Sequence, residues 1–156
     1  MEGRFSVTQG DIREIAALCP AGWADYVTAN PPYLRADCGK RNADFVKYAA
    51  FHEHFGSIDD FARAAAYLLG TGGAFFTVYR PDRLSRLLTA LSAAGLEPKR
   101  LRPVAADVLR APSLVLVESV KGAAEGMVYE KNLVIYRDSA HTQYTDELER
   151  IYHVFS

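Results

Sequence analysis

Asn30, Pro31, Pro32 and Tyr33 are the residues whose types and spacing point most directly to chemistry. They follow "ADYVTA", a stretch with strand character. Two successive prolines cannot continue a strand or a helix, because each lacks the N–H a ladder needs and restrains the residue before it. A backbone fixed in this way holds the Asn30 side chain and the Pro31 carbonyl as preorganised acceptors, with the Tyr33 ring as a stacking face. Such a corner suits a planar group carrying an NH₂. The lone pair of an exocyclic amine or amide is delocalised and weakly nucleophilic. Two acceptors gripping its hydrogens favour the pyramidal geometry in which that pair can attack, and a stacked ring fixes the plane. Four residues also fit a plain proline turn with Tyr33 on the surface. The placement of the corner at the end of a strand favours the functional reading.

Other groups give weaker signals. Cys19 and Cys38 are too few for a disulfide framework and are not spaced as zinc ligands, so both read as reduced thiols. His52 and His54 sit two apart in "FHEHF" with no second ligand cluster, so they read as one surface and one packed histidine, and no metal is expected. Between Arg80 and Arg110 seven basic residues (Arg80, Arg83, Arg86, Lys99, Arg100, Arg102, Arg110) accompany three acidic ones (Asp82, Glu97, Asp107). The chain's net charge is −1, so that local excess of 7 − 3 = 4 is uneven. Such a run either follows a phosphate backbone or forms a solvated helix face. Glu53 reads as a solvated acid at a helix start, Trp23 as a packing residue at a strand entry, and Tyr144 and Tyr152 as rings that pack the closing helix on the sheet.

The elements that position these residues follow from periodicity. With 156 residues, 49% hydrophobic and 24% charged, the chain can bury one ordinary core, so residues 1–156 read as a single domain. No apolar run approaches the roughly 20 residues that span a bilayer, and the N-terminus shows no basic segment followed by an apolar one. The expectation is a soluble, cytoplasmic protein without membrane contact. "RFSVTQGD" predicts a short strand with Phe5 and Val7 on one face, "IREIAAL" a short helix, and "ADYVTA" a second strand. Residues 34–47 are polar and aperiodic, as in a loop. Ser57, followed by Asp59 and Asp60, predicts an N-cap, with a helix from there to Leu69; "GTGG" then reads as a turn and "AFFTVY" as a third strand, hydrophobic throughout as a central parallel strand tends to be. Leu84, Leu87, Leu88 and Leu91 mark a helix that Gly95 stops. "PKRLRPVA" and "SLVLVESV" lack room for a crossover between them, so they should pair antiparallel. "MVYEKNLVIY" adds an extended piece, and "YTDELERIYHVF" closes as a helix with Leu148, Ile151, Tyr152 and Phe155 on one face. The order describes an α/β sheet, mostly parallel, ending in an antiparallel hairpin.

In these features the sequence resembles the class I S-adenosylmethionine-dependent methyltransferases that act on planar amino groups. Their Asn/Asp/Ser-Pro-Pro-aromatic motif, at the end of the fourth strand, is matched by Asn30, Pro31, Pro32 and Tyr33. "QGDI" resembles the segment after their third strand, which would assign Asp11 and Ile12 to contact with the adenine of the cofactor. Within the class the likeness is greatest to bacterial tRNA adenine-N6 methyltransferases of the valine-tRNA type, carried by "ANPPY", "HE" at 52–53, "RPDRL", "LEPKRLRPV", "LVLVESVKG", "NLVIY" and "YTDELERIY". The chain departs from that family at Phe51, where a basic residue is common, and in "APSLVLVE". The resemblance implies a Rossmann-like sheet of strand order 3-2-1-4-5-7-6, S-adenosyl-L-methionine as cofactor, and methyl transfer to an exocyclic amine, adenine N6 in tRNA. Protein glutamine and DNA adenine are the alternative substrates.

The family opens with a strand, a glycine-rich loop and a second strand ending in a ribose-binding acid, and this chain shows none of them. "GTGGA" at 70–74 precedes its strand and so reads as a helix-to-strand turn. The chain thus resembles the C-terminal two-thirds of such a domain, a partial sheet that starts at the third strand. Two expectations follow. The first strand moves next to the second, or the bare edge pairs with another copy as a homodimer; and this chain alone is either an active methyltransferase or a catalytically silent piece that retains weak RNA binding.

Overall fold

The computed structural model of the chain describes residues 5–31 and 56–154. Within them a six-stranded sheet is covered on one face by two helices. The strands are β1 (Ala24–Ala29), β2 (Leu69–Tyr79), β3 (Leu96–Ala105), β4 (Leu114–Lys121), β5 (Val128–Tyr129) and β6 (Leu133–Val134); the helices are α1 (Ile15–Leu18), α2 (Ile58–Leu68), α3 (Leu84–Ala93) and α4 (Asp146–His153). The strand order is β1-β2-β4-β3-β5, with β6 also paired to β3. β1 and β2 are parallel, β4 runs antiparallel to both β2 and β3, and β5 and β6 are parallel to β3. Every strand but β4 therefore points the same way. The four long strands reproduce the 4-5-7-6 half of the order that the family resemblance implies.

The helices form where capping and periodicity predict. The Ser57 hydroxyl accepts from the Asp60 N–H, and the Asp60 carboxylate accepts in return from the Ser57 N–H at 2.7 Å, a reciprocal capping box. At the other end of α2 the Lys121 ammonium, from the end of β4, donates to the carbonyls of Ala66 and Leu69 at 2.6 Å each, satisfying oxygens that the helix leaves open. α3 ends on Gly95, whose φ of +74° is the left-handed conformation a glycine reaches without strain. Ile58, Ala62 and Ala65 of α2 and Leu87, Ala90 and Leu91 of α3 pack on Leu69, Phe75, Tyr79, Leu96, Leu101, Val115 and Val117 of the sheet, forming the core.

Several expectations change. Residues 5–10 form no strand, and Phe5 and Val7 stand 88% and 79% exposed. Alternation alone cannot make a strand, since its N–H and C=O groups need a neighbour to pair with. The first strand has therefore not moved beside the second. "GTGG" is no turn: β2 begins at Leu69 and runs through the glycines. A Cβ on Gly73 would lie 2.9 Å from Leu69 Cδ2 and 3.1 Å from the Asp25 carbonyl, so the glycines admit β1 where its register to β2 shifts between Ala24 and Tyr26. Phe75 and Tyr79 of β2 are buried in the core, whereas on the other face Ala74 is buried and Phe76 is 38% exposed. Trp23 is 62% exposed rather than packed at the strand entry. "MVYEKNLVIY" forms two strands of two residues each. On α4 only Leu148 is buried; Ile151 and Tyr152 face solvent, and Phe155 lies outside the described residues.

Candidate functional site

Because β1, β2 and β3 share a direction, their carboxyl ends lie along one edge of the sheet, the edge where open α/β sheets bind ligands. β1 ends at Ala29, which pairs with Thr77, and the next residue is Asn30. Asn30 is exposed at that edge, and Pro31 is among the most completely buried side chains of the described residues. Pro31 is thus packed into the protein while the Asn30 amide side chain remains on the surface. Pro32 and Tyr33 lie outside the described residues, as do Cys38, Phe51, His52, Glu53 and His54.

Asn30 also borders a groove of about 600 Å³ on the sheet face opposite the helices, whose lining includes Phe76, Val78, Arg100, Leu116 and Glu118. The floor is apolar and the far wall is charged. Arg100 bridges Glu118 at 3.1 Å and Glu130, and Arg102 pairs with Glu130 and Glu147.

Asp11 and Ile12 do not line this groove and lie instead beside the start of α2. Asp11 caps a 3-10 turn at Ile12–Glu14, accepting from the Arg13 N–H at 2.9 Å, and both its oxygens also accept from the Arg13 guanidinium. The Ile12 side chain lies close over Gly56, directly before the capped start of α2; a Cβ there would come within 2.9 Å of it. Since α2 leads from the β1 end back to β2, its N-terminus is at the carboxyl edge. The structure therefore brings Asp11, Ile12 and Asn30 to one edge. Asp11 has the acceptor chemistry an adenine amino group requires, but its carboxylate already holds Arg13. An adenine would have to exchange for that partner.

Most cations of the basic stretch are paired within the protein. Arg80 pairs with Asp82, Arg86 with Asp59, Arg100 with Glu118 and Glu130, Arg102 with Glu130 and Glu147, and Arg110 with Asp107. Lys99 donates to the Ala124 carbonyl at 3.0 Å. The local excess of cations is balanced largely by acids that lie outside the stretch in sequence.

One cluster had no local signal. Asp107, two residues past β3 and 2% exposed, lies 2.9 Å from His141 Nε2, accepts from the Leu109 N–H at 2.9 Å, and pairs with Arg110 Nε at 3.3 Å. The hydrogen bond to His141, then that from Leu109, hold its carboxyl below the usual carboxylate range. The His141 ring stacks on Tyr136 at 4.7 Å, and Tyr136 in turn stacks on Tyr144 at 5.3 Å. Cys19 is a free thiol. Among the described residues no three His, Cys, Asp or Glu side chains gather as metal ligands would, and no helix is long and apolar enough to cross a membrane.

The fold is methyltransferase-like. It matches a predicted O-methyltransferase of Agrobacterium tumefaciens with a TM-score of 0.64 at 18% identity, covering 94% of this chain and 58% of that one. It also matches a Thermus thermophilus protein inferred to be a DNA modification methylase. With that protein's S-adenosyl-L-methionine complex the TM-score is 0.55 at 16% identity, over 94% of this chain and 72% of that one. A selenomethionine form of the same protein gives 0.51 at 18%, over 75% of this chain and 54% of that one. The chain thus spans 58% of the length of the first of these structures and 54% of the last. No family model and no curated protein matches it.

Proposed function

We propose that this chain is the substrate-holding part of an S-adenosyl-L-methionine-dependent N-methyltransferase whose target is an exocyclic amine, adenine N6 in tRNA. The observation that carries the reading is the Asn30-Pro31 corner, set at the carboxyl end of β1 in a sheet of β1-β2-β4-β3 order, with Pro31 buried and Asn30 exposed. The cofactor supplies a methyl group as a sulfonium electrophile. The chain's own part is to hold the nucleophile. The Asn30 amide oxygen and the Pro31 carbonyl accept the two amine hydrogens, localise the nitrogen lone pair, and take up the charge that develops on the nitrogen as the methyl arrives. Tyr33 stacks on the base, which must leave its neighbours for its amine to reach the corner. Asp11 and Ile12 are the residues of this chain that would meet the cofactor's adenine. No metal is required.

The test uses cofactor with a deuterated methyl group, offered with tRNA lacking the modification. Nucleoside mass spectrometry should find labelled N6-methyladenosine, and Asn30→Ala should lower the rate about 100-fold or more, the scale of removing one preorganised polar partner. Label in protein glutamine or DNA adenine instead would overturn the tRNA assignment and leave the amine-holding corner standing.

The Asp11–Arg13 pairing favours a second reading, in which this chain alone does not bind the cofactor and is silent. Calorimetric titration with S-adenosylhomocysteine separates the two. Micromolar binding supports an active chain, and none supports silence.

A further inference from the structure

The carboxyl edge carries a second construction, which the Asn30 corner does not use. Between β3 and β4 the chain turns through Asp107, Val108, Leu109 and Arg110. Burying a carboxylate is costly unless it is paired, and Asp107 is paired from three sides: His141 on a segment 34 residues away, the Leu109 N–H and the Arg110 guanidinium. His141 is held at φ +59°, a left-handed conformation uncommon for a side-chain-bearing residue, and Tyr136 backs its ring. The backbone of Tyr136 is fixed in turn to the end of β3, its N–H donating to the Ala106 carbonyl at 2.8 Å.

What this anchorage presents is apolar. Val108 and Leu109, next to the buried Asp107, are 76% and 83% exposed, and the Arg110 side chain is 64% exposed. A turn needed only to join two strands is ordinarily polar. Two aliphatic side chains beside one guanidinium, held out from a pinned loop, make a contact surface.

Its place limits what it touches. β3 is three strand spacings from β1, so the loop lies roughly 14 Å or more from Asn30 along the edge, at about 4.8 Å per spacing. That is too far to reach the reacting amine and near enough to reach its neighbour on the same strand of nucleic acid. We propose that the 107–110 loop is a second substrate contact, in which Val108 and Leu109 pack on the face of a base flanking the reacting adenine in single-stranded RNA, and Arg110 meets the adjoining phosphate. Aliphatic side chains pack on any base face, so the loop favours an unstacked neighbour over a paired one. His141 is a positioning residue that acts through Asp107. The proposal rests on the nucleic-acid reading above.

The test is an RNA hairpin with one unpaired adenosine in its loop and 2-aminopurine, a fluorescent base, at the flanking position. Wild-type protein should change the fluorescence of the flanking base. Val108→Ser/Leu109→Ser, which alters only exposed side chains and should melt as wild type does, should abolish that change and weaken binding about tenfold, the scale of losing one base contact. His141→Ala should reproduce the loss, and His141→Gln, which keeps a donor for Asp107, should restore much of the signal. Unchanged binding and fluorescence in the double variant would overturn the inference and leave the amine-holding corner untouched. A wild-type protein that binds a peptide substrate and no RNA would overturn both.

Discussion

Asn30 and Asp107 divide the carboxyl edge between two kinds of polar residue, one exposed beside a buried proline and one buried beside exposed aliphatics. The second leaves a mark on the pH dependence of stability. A carboxyl whose pKa is lower in the folded chain than in the unfolded chain contributes its stability in full above the ordinary carboxylate value of about 4, and loses it as pH falls through the lower, folded value. The stability advantage of wild type over Asp107→Asn in urea unfolding should therefore be full near neutral pH and shrink only below about pH 4. An advantage unchanged at pH 3 would mean that the hydrogen bonds to His141 and Leu109 do not favour the ionised form. At this scale the sequence is legible only where chemistry is local. Four adjacent residues announce the Asn30 corner, whereas His141 and Asp107 are partners across 34 positions, and nothing near either one names the other.

Helix α2 is readable from its Ser57 cap and apolar stripe, and α3 from its leucine stripe and the Gly95 stop, because each of these signals is local. Ser57→Ala should cost about 1 kcal/mol in unfolding free energy, since it breaks the reciprocal cap of α2. The sheet was readable in its long strands and not in its details, because those are set between segments. "GTGG" looks like a turn to any local rule, yet its glycines continue β2 because β1 passes close by. Gly73→Ala should destabilise the domain by about 1–3 kcal/mol, as overpacking does, with the loss visible as a lower urea midpoint at unchanged slope. Ser119 of β4 gives the opposite sign. Its hydroxyl is wholly buried and has no hydrogen-bond partner among the described residues, so Ser119→Ala should be neutral or stabilise by up to about 1 kcal/mol. The stretch at 5–10 shows the reverse: Phe5 and Val7 alternate as in a strand, and among the described residues no neighbouring strand receives them.

Among the described residues the sheet has one face covered by helices and one open face. Among the described residues nothing pairs with the outer edge of β1, and Tyr26 and Phe76, in tilted contact at 6.2 Å, are 73% and 38% exposed beside it. An open edge next to apolar rings invites association. The chain should therefore sediment as a concentration-dependent dimer, and Tyr26→Lys should shift it to monomer without lowering its melting temperature; wild type that stays monomeric at high concentration would refute pairing through this edge. A different consequence lies in β4, which comes after both of its neighbours in the chain yet sits between them. As the polypeptide leaves the ribosome, β2 and β3 have no common partner until Leu114–Lys121 has emerged, and Lys121, the last residue of that strand, is also the one that closes the end of α2. Nascent chains arrested before Leu114 should thus remain open to protease across β2 and β3. Those arrested after Lys121 has cleared the exit tunnel should become resistant in a single step.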